Sequence, residues 1–251
     1  MKTIPFTDIR GSISQYVRFA ASPFRPFLSA EINALQLEQY RAGHEDITYT
    51  PLLMKIIASA ASKYPLMNAI RGRGFLKDTI GIPEEVDICF AMEKTYRGET
   101  FVAIPIIRSV NKKSIQTIAS EINSLSELPY EALPGNKPIL LFHKLPNFLK
   151  YVLLRLSSFN PNAFKDLFGT MGFSNLGKFG IHDFYPAWVN TVVFGIGSII
   201  VKPVVENGAI KICPVLHISM NFDHSIFDGA EAGRMLAEVR ELIEKGDYDS
   251  L

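Results

Sequence analysis

The chain has 251 residues, 47% of them apolar and 20% charged, which is enough to bury a sizeable core as one domain and too apolar for a disordered chain. Its 26 Lys and Arg nearly cancel its 25 Asp and Glu, so the net charge is +1 and no overall field draws it to nucleic acid or to an anionic membrane. Two cysteines, Cys89 and Cys213, lie far apart inside apolar runs, which excludes a disulfide framework or a cysteine metal site and fits a reducing, cytoplasmic setting.

Near the N-terminus, Asp8 interrupts any signal-like apolar stretch. Arg10, Arg18 and Arg25 alternate with Ser and Phe as in a mitochondrial presequence, which keeps that destination open. Thr50 followed by Pro51 predicts a capped helix carrying Leu52, Leu53, Ile56, Ile57 and Ala60 on one stripe and stopping before Pro65. Val86 to Met92 and Thr100 to Ile107 read as strands, the second after a turn at Arg97-Gly98, and Ile115, Ile118, Ala119, Ile122 and Leu125 form a second helical stripe. Residues 129–168 are punctuated by Pro129, Pro134, Pro138, Pro146 and Pro161 and are predicted to be an irregular excursion within a single domain, 1–251. Inside that excursion Ile139 to Leu156 is the most membrane-like stretch. His143, Lys144, Pro146, Lys150 and Arg155 interrupt it short of the ~18 uninterrupted apolar residues of a spanning helix, so it is expected to be an amphipathic segment over the core. Val189 to Val201 and Ile210 to Phe222 are strands joined at Asn207-Gly208, a pair that favours a tight hairpin, and Met235, Leu236, Val239, Leu242 and Ile243 mark a final helix. The predicted class is α+β, a two-layer sandwich of helices on a mixed, largely antiparallel sheet.

The chemistry concentrates where the last strand ends, in NFDHSIFDGAEAGRML (Asn221 to Leu236). His224, Asp228 four residues on and Gly229 can bring an imidazole and a carboxylate together at the mouth of a helix. A neutral imidazole accepts a proton near neutral pH, and the carboxylate can hold its tautomer, anchor a cation or cap the helix. His217, within the strand, is assigned a structural role. His44, His143 and His182 show no ligand spacing, so no metal is predicted.

This region resembles the H-x-x-x-D-G signature of the catalytic domain of dihydrolipoyl acyltransferases, the core component of 2-oxo acid dehydrogenase complexes, and of the related chloramphenicol acetyltransferases. In the same order, YPLMNA (Tyr64 to Ala69), FVAIPIIRSVNKKSIQTIASEI (Phe101 to Ile122), GTMGFSNLGKFGI (Gly169 to Ile181) and FGIGSIIVKPVVENGAI (Phe194 to Ile210) are similar to further landmarks of that family. The resemblance implies a chloramphenicol acetyltransferase-like central sheet with flanking helices, assembled as a homotrimer with active sites between subunits. It implies coenzyme A, as acyl-CoA, for a co-substrate and a thiol acceptor such as dihydrolipoamide. It further implies that His224 takes the proton from the attacking thiol and that Ser174, from the neighbouring subunit, hydrogen-bonds the oxyanion. Asp228 is expected to support the site, beside Gly229, by an ion pair to an N-terminal arginine, for which Arg10 and Arg18 are both candidates.

The chain departs from the family pattern at Ser225, where the dihydrolipoyl enzymes usually carry arginine, so that basic contribution is expected to be absent. With the sequence opening on the catalytic region, the lipoyl group is expected on another polypeptide, or a different acyl partner is expected in its place. The charged tail, with Asp247 and Asp249, favours a plain trimer over a large cage. Two alternatives stand beside the thiol acyltransferase: a chloramphenicol-type O-acetyltransferase acting on a small hydroxylated molecule, and an inactive trimeric scaffold. Neither nucleic acid nor a membrane is expected as a partner.

Overall fold

The computed structural model describes residues 7–21, 25–74, 76–206 and 208–251. In chain order it contains α1 (Asp8–Ala20), β1 (Phe27–Asn33), α2 (Leu35–Gly43), α3 (Tyr49–Lys63), β2 (Ile70–Gly72), β3 (Thr79–Gly81), β4 (Ile88–Phe90), β5 (Met92–Tyr96), β6 (Glu99–Ala103) and β7 (Ile106–Ile107). Then follow α4 (Ile115–Glu127), α5 (Asn136–Lys144), α6 (Asn147–Ser157), α7 (Pro161–Phe168), β8 (Met171–Asn175), β9 (Val192–Glu206), β10 (Ala209–Phe222) and α8 (Gly229–Lys245).

The central sheet runs β1-β10-β9-β8-β4-β7. It is antiparallel at both ends, and β9, β8 and β4 run parallel in the middle, so the predicted mixed, largely antiparallel sheet is present. α3 is the core helix: Leu52, Leu53, Met54, Ile56 and Ala60 are fully buried against sheet residues such as Phe194, Ile218 and Met220. α4 and α8 pack beside it with the expected stripes, Ile115, Ile118 and Leu125 on one and Met235, Leu236, Val239 and Ile243 on the other. Burial of these faces, at roughly 25 cal/mol per Å² of apolar surface removed from water, is the main stabilising force of the layer.

α3 starts earlier than the Thr50-Pro51 signal predicts. Thr48 is its N-cap residue, and Pro51 falls in the first turn, where a missing N–H costs nothing. The Thr50 hydroxyl is used elsewhere, accepting from Asn175 Nδ2 at 3.2 Å. The strand expected to run from Thr100 to Ile107 is split at Pro105 into β6 and β7, and β6 pairs with β5 outside the main sheet.

The opposite face of the sheet is covered by an extended segment, 181–190, that lies on small residues. A Cβ at Gly195 would come 2.3 Å from Pro186 and one at Gly197 would come 1.8 Å from the His182 carbonyl, so only glycine admits this close approach. The β9–β10 hairpin forms as expected. Its turn residue Asn207 lies outside the described residues, and Gly208 adopts the left-handed backbone, φ +77°. The excursion at 129–168 is more regular than predicted, since it holds α5, α6 and α7.

Candidate active site

β10 delivers the histidine. It ends at Phe222, and the chain turns through Asp223 and His224 into α8, with Asp228 at the N-cap position. The Asp228 carbonyl accepts the Ala232 N–H at 3.0 Å, but its carboxylate makes no capping bond. It lies instead 3.4 Å from His224 Nδ1. The carboxylate thus faces the imidazole and leaves the helix end without a side-chain cap. The imidazole is 41% exposed, so it is open to substrate and not sealed in hydrocarbon. Gly229 needs no left-handed backbone, and a Cβ there would meet nothing within 4 Å among the described residues, so contacts within the chain do not require glycine at this position.

The loop holding His224 is fixed by its neighbours. Buried Asp223 accepts from the Ser225 N–H at 3.0 Å and from the Ser225 hydroxyl at 2.5 Å. Arg71, on β2, donates to Ser225 Oγ at 2.8 Å, places its guanidinium 4.0 Å from Asp223 Oδ2 and is itself held by Asp78 at 2.8 Å. Ser225 brings no basic side chain of its own, and its hydroxyl instead accepts from a guanidinium supplied by another element. Arg25, donating to the Val189 and Asn190 carbonyls, also faces Asp223, and its burial lowers its pKa to about 10.

Neither N-terminal arginine named for Asp228 reaches it within this chain. Arg10 pairs with Glu99 at 3.1 Å, and the Arg18 guanidinium lies 4.3 Å above the Tyr151 ring. The reason is that α1 packs on α5 and α6. Among the described residues the ion-pair partner of Asp228 is His224.

Ser174 sits near the end of β8, beside a second site. Its neighbour Asn175 is pinned at both ends, Nδ2 donating to Thr50 Oγ1 and Oδ1 accepting from the Gly177 N–H at 2.8 Å. Ser174 Oγ makes no hydrogen bond among the described residues. It lines a cavity of about 820 Å³ with Thr50, Leu53, Phe90, Phe173 and Phe179, within the range of small-molecule sites. His224 is not on that wall. Ser174 pairs with Gly195, which pairs with Ser219, and His224 lies five residues beyond Ser219 on the far end of the sheet. Strand spacing of ~4.8 Å and a rise of ~3.3 Å per residue place the two side chains roughly 15–20 Å apart.

The other histidines are occupied. His217 is buried beside Asp183 at 3.3 Å, and burial lowers its pKa. His143 is buried between Tyr130 and Ser12, and His44 stacks on Tyr40. Among the described residues no three His, Cys, Asp or Glu side chains cluster in a way that could hold a metal ion. Cys89 is no nucleophile, since burial raises its thiol pKa to about 12. Sequence reasoning missed Arg71, which sits on a three-residue strand with no periodicity to mark it.

A mixed sheet with a histidine just past the end of β10 and a serine near the end of β8, two strands away, has the fold of the chloramphenicol acetyltransferase-like acyltransferases. A chloramphenicol acetyltransferase superimposes with a TM-score of 0.50 at 12% identity, covering 98% of this chain and 99% of that one. A probable dihydrolipoamide acetyltransferase from Listeria monocytogenes superimposes with a TM-score of 0.73 at 21% identity, covering 98% and 95%. The family model of the 2-oxoacid dehydrogenases acyltransferase (catalytic domain) matches residues 2–131 and 153–249, and the chain belongs to that family. The dihydrolipoyllysine-residue acetyltransferase component of the pyruvate dehydrogenase complex from Staphylococcus epidermidis is 28% identical over 233 residues, 86% of this chain and 45% of the relative. The chain thus spans less than half the length of that relative.

Proposed function

We propose that the chain is an acyltransferase core that moves an acyl group between coenzyme A and a thiol acceptor, and that it acts as a homotrimer whose sites combine His224 of one copy with Ser174 of the next. The observation that carries this reading is the separation of the two half-sites at opposite ends of one sheet, which no side-chain motion within a chain can close. In the proposed reaction the acceptor S–H gives its proton to His224 Nε2 while the sulfur attacks the acyl-CoA carbonyl. The Ser174 hydroxyl donates to the oxyanion of the tetrahedral intermediate. Collapse breaks the carbon–sulfur bond to coenzyme A, whose departing thiolate takes the proton back from His224.

Two further observations support assembly. The hairpin arm exposes Val205, Ile210 and Ile212, each 76% accessible, an apolar surface suited to a neighbouring subunit. The C-terminal segment folds back on its own chain, with Tyr248 buried and Asp249 accepting from Tyr40 at 3.1 Å, which favours a trimer over a cage built through the tail. The relative's name supports dihydrolipoamide, presented by a separate domain or polypeptide, as the acceptor. Two free cysteines, Cys89 and Cys213, fit a cytoplasmic setting. Incubation with acetyl-CoA and dihydrolipoamide, followed by release of coenzyme A, tests the reading. Turnover is expected, and a trimer that binds neither compound contradicts it.

A further inference from the structure

The near-zero net charge conceals a segregated segment. Between Ala132 and Lys165 the chain carries Lys137, Lys144, Lys150, Arg155 and Lys165 and no Asp or Glu. Lys150 is buried on the Asp8 carbonyl, and Lys165 pairs with Glu85. Lys137, Lys144 and Arg155 enter no ion pair among the described residues.

Beside these cations α6 turns an apolar stripe to solvent. Phe148, Val152 and Leu156 follow at helical spacing along one side, with Phe148 72% and Leu156 58% exposed, and Phe159 is exposed in the turn just beyond the helix. On α5, Leu141 is 63% exposed and shares a side with Lys137 and Lys144. The family match omits residues 132–152, so α5 and the first half of α6, with Leu141, Phe148 and Val152, lie outside the matched region, while Leu156 and Phe159 lie within it.

Charge complementarity decides what covers this face. Apolar side chains beside cations, in a stretch that itself holds no carboxylate although Lys144 shares a concavity with Asp8 and Glu99 of neighbouring elements, suit the headgroup region of an anionic bilayer. A second copy docked patch to patch about a twofold axis would bring two cationic segments together, whereas a neighbour in a trimer would meet the patch with a different surface. The contact is peripheral, because no helix among the described residues is long and apolar enough to cross a membrane. We propose that the α5–α6 face docks the protein on an anionic phospholipid surface, a property distinct from acyl transfer.

Flotation of the full chain with vesicles of equal parts phosphatidylglycerol and phosphatidylcholine, against phosphatidylcholine alone, tests this. The protein is expected to float with the anionic vesicles only and to be released by high salt. The pair Phe148→Ser and Leu156→Ser should weaken partition about tenfold or more, as should Lys137→Glu with Lys144→Glu, while the melting temperature stays unchanged because all four side chains are exposed. Failure to float with anionic vesicles overturns the proposal, as does equal binding to both lipids. A fall in particle mass of the Phe148→Ser, Leu156→Ser variant without lipid would assign the face to a second copy, and wild-type flotation by that variant would remove the stripe from the contact.

Discussion

Replacing Arg71 by alanine removes a guanidinium that touches the histidine loop directly. The change deletes a charge-assisted bond to Ser225 at 2.8 Å and a cation 4.0 Å from buried Asp223, leaving that carboxylate with Arg25 and Arg73 as its facing cations. A hydrogen bond to a charged group contributes about 1.5–3 kcal/mol, and the side chain is 31% exposed, so the loss should fall near the lower end, about 1–2 kcal/mol. If that energy holds the loop in its productive geometry, kcat falls about 5–30-fold at ~1.4 kcal/mol per decade. The KM for acyl-CoA should stay near wild type, because Arg71 lies on the histidine side and not on the wall of the Ser174 cavity. Steady-state coenzyme A release at varied acyl-CoA, beside urea unfolding, provides the readout. Arg71→Lys should recover part of kcat. An Arg71→Ala enzyme with wild-type kcat and lowered stability would refute the positioning role and leave Arg71 a purely structural residue.

His224→Ala should lower kcat about 10²-fold or more, and Ser174→Ala roughly 10²-fold, the scales of a general base and of one oxyanion donor. Both side chains are partly exposed, so circular dichroism melts should match wild type. Burial holds the pKa of His143 and His217 below the ordinary value of 6.5, so the unfolded chain binds more protons than the folded one as pH drops through and below that value. Stability should therefore be full above about pH 6.5 and decline on acidification, with a shallower slope in His217→Gln, measured as melting temperature from pH 7 to pH 5. Truncating fully buried Ile56 to alanine should cost about 2–5 kcal/mol, read from the urea midpoint.

Elements built on long periodic stripes were legible in the sequence, as α3, α4, α8 and the β9–β10 hairpin illustrate. The prolines at 129–168 misled because proline breaks only helix interiors. Pro146 is the N-cap residue of α6, Pro161 opens α7 and Pro138 lies in the first turn of α5, so each starts a helix that it was taken to interrupt. β1 and β8 are seven and five residues long and take their pairing from distant strands, which leaves little local pattern to read. At the site, the i,i+4 spacing of His224 and Asp228 is local and was visible. Ser174 carries no local signal of its own and was named only through family resemblance. Arg71 meets Ser225 across 154 positions of sequence, a contact that only the fold creates. Whole-chain charge likewise averaged away the cationic run on α5 and α6.

Mixing two inactive variants asks most directly whether each site is built from two chains. His224→Ala and Ser174→Ala proteins are unfolded, combined in equal amounts and refolded together, and coenzyme A release is followed. If the histidine of one copy meets the serine of the next, random co-assembly leaves about one interface in four with both groups intact, and activity should return to about a quarter of wild type. A mixture no more active than the separate variants would show that each chain supplies its own histidine and serine, and the two-chain site would be wrong.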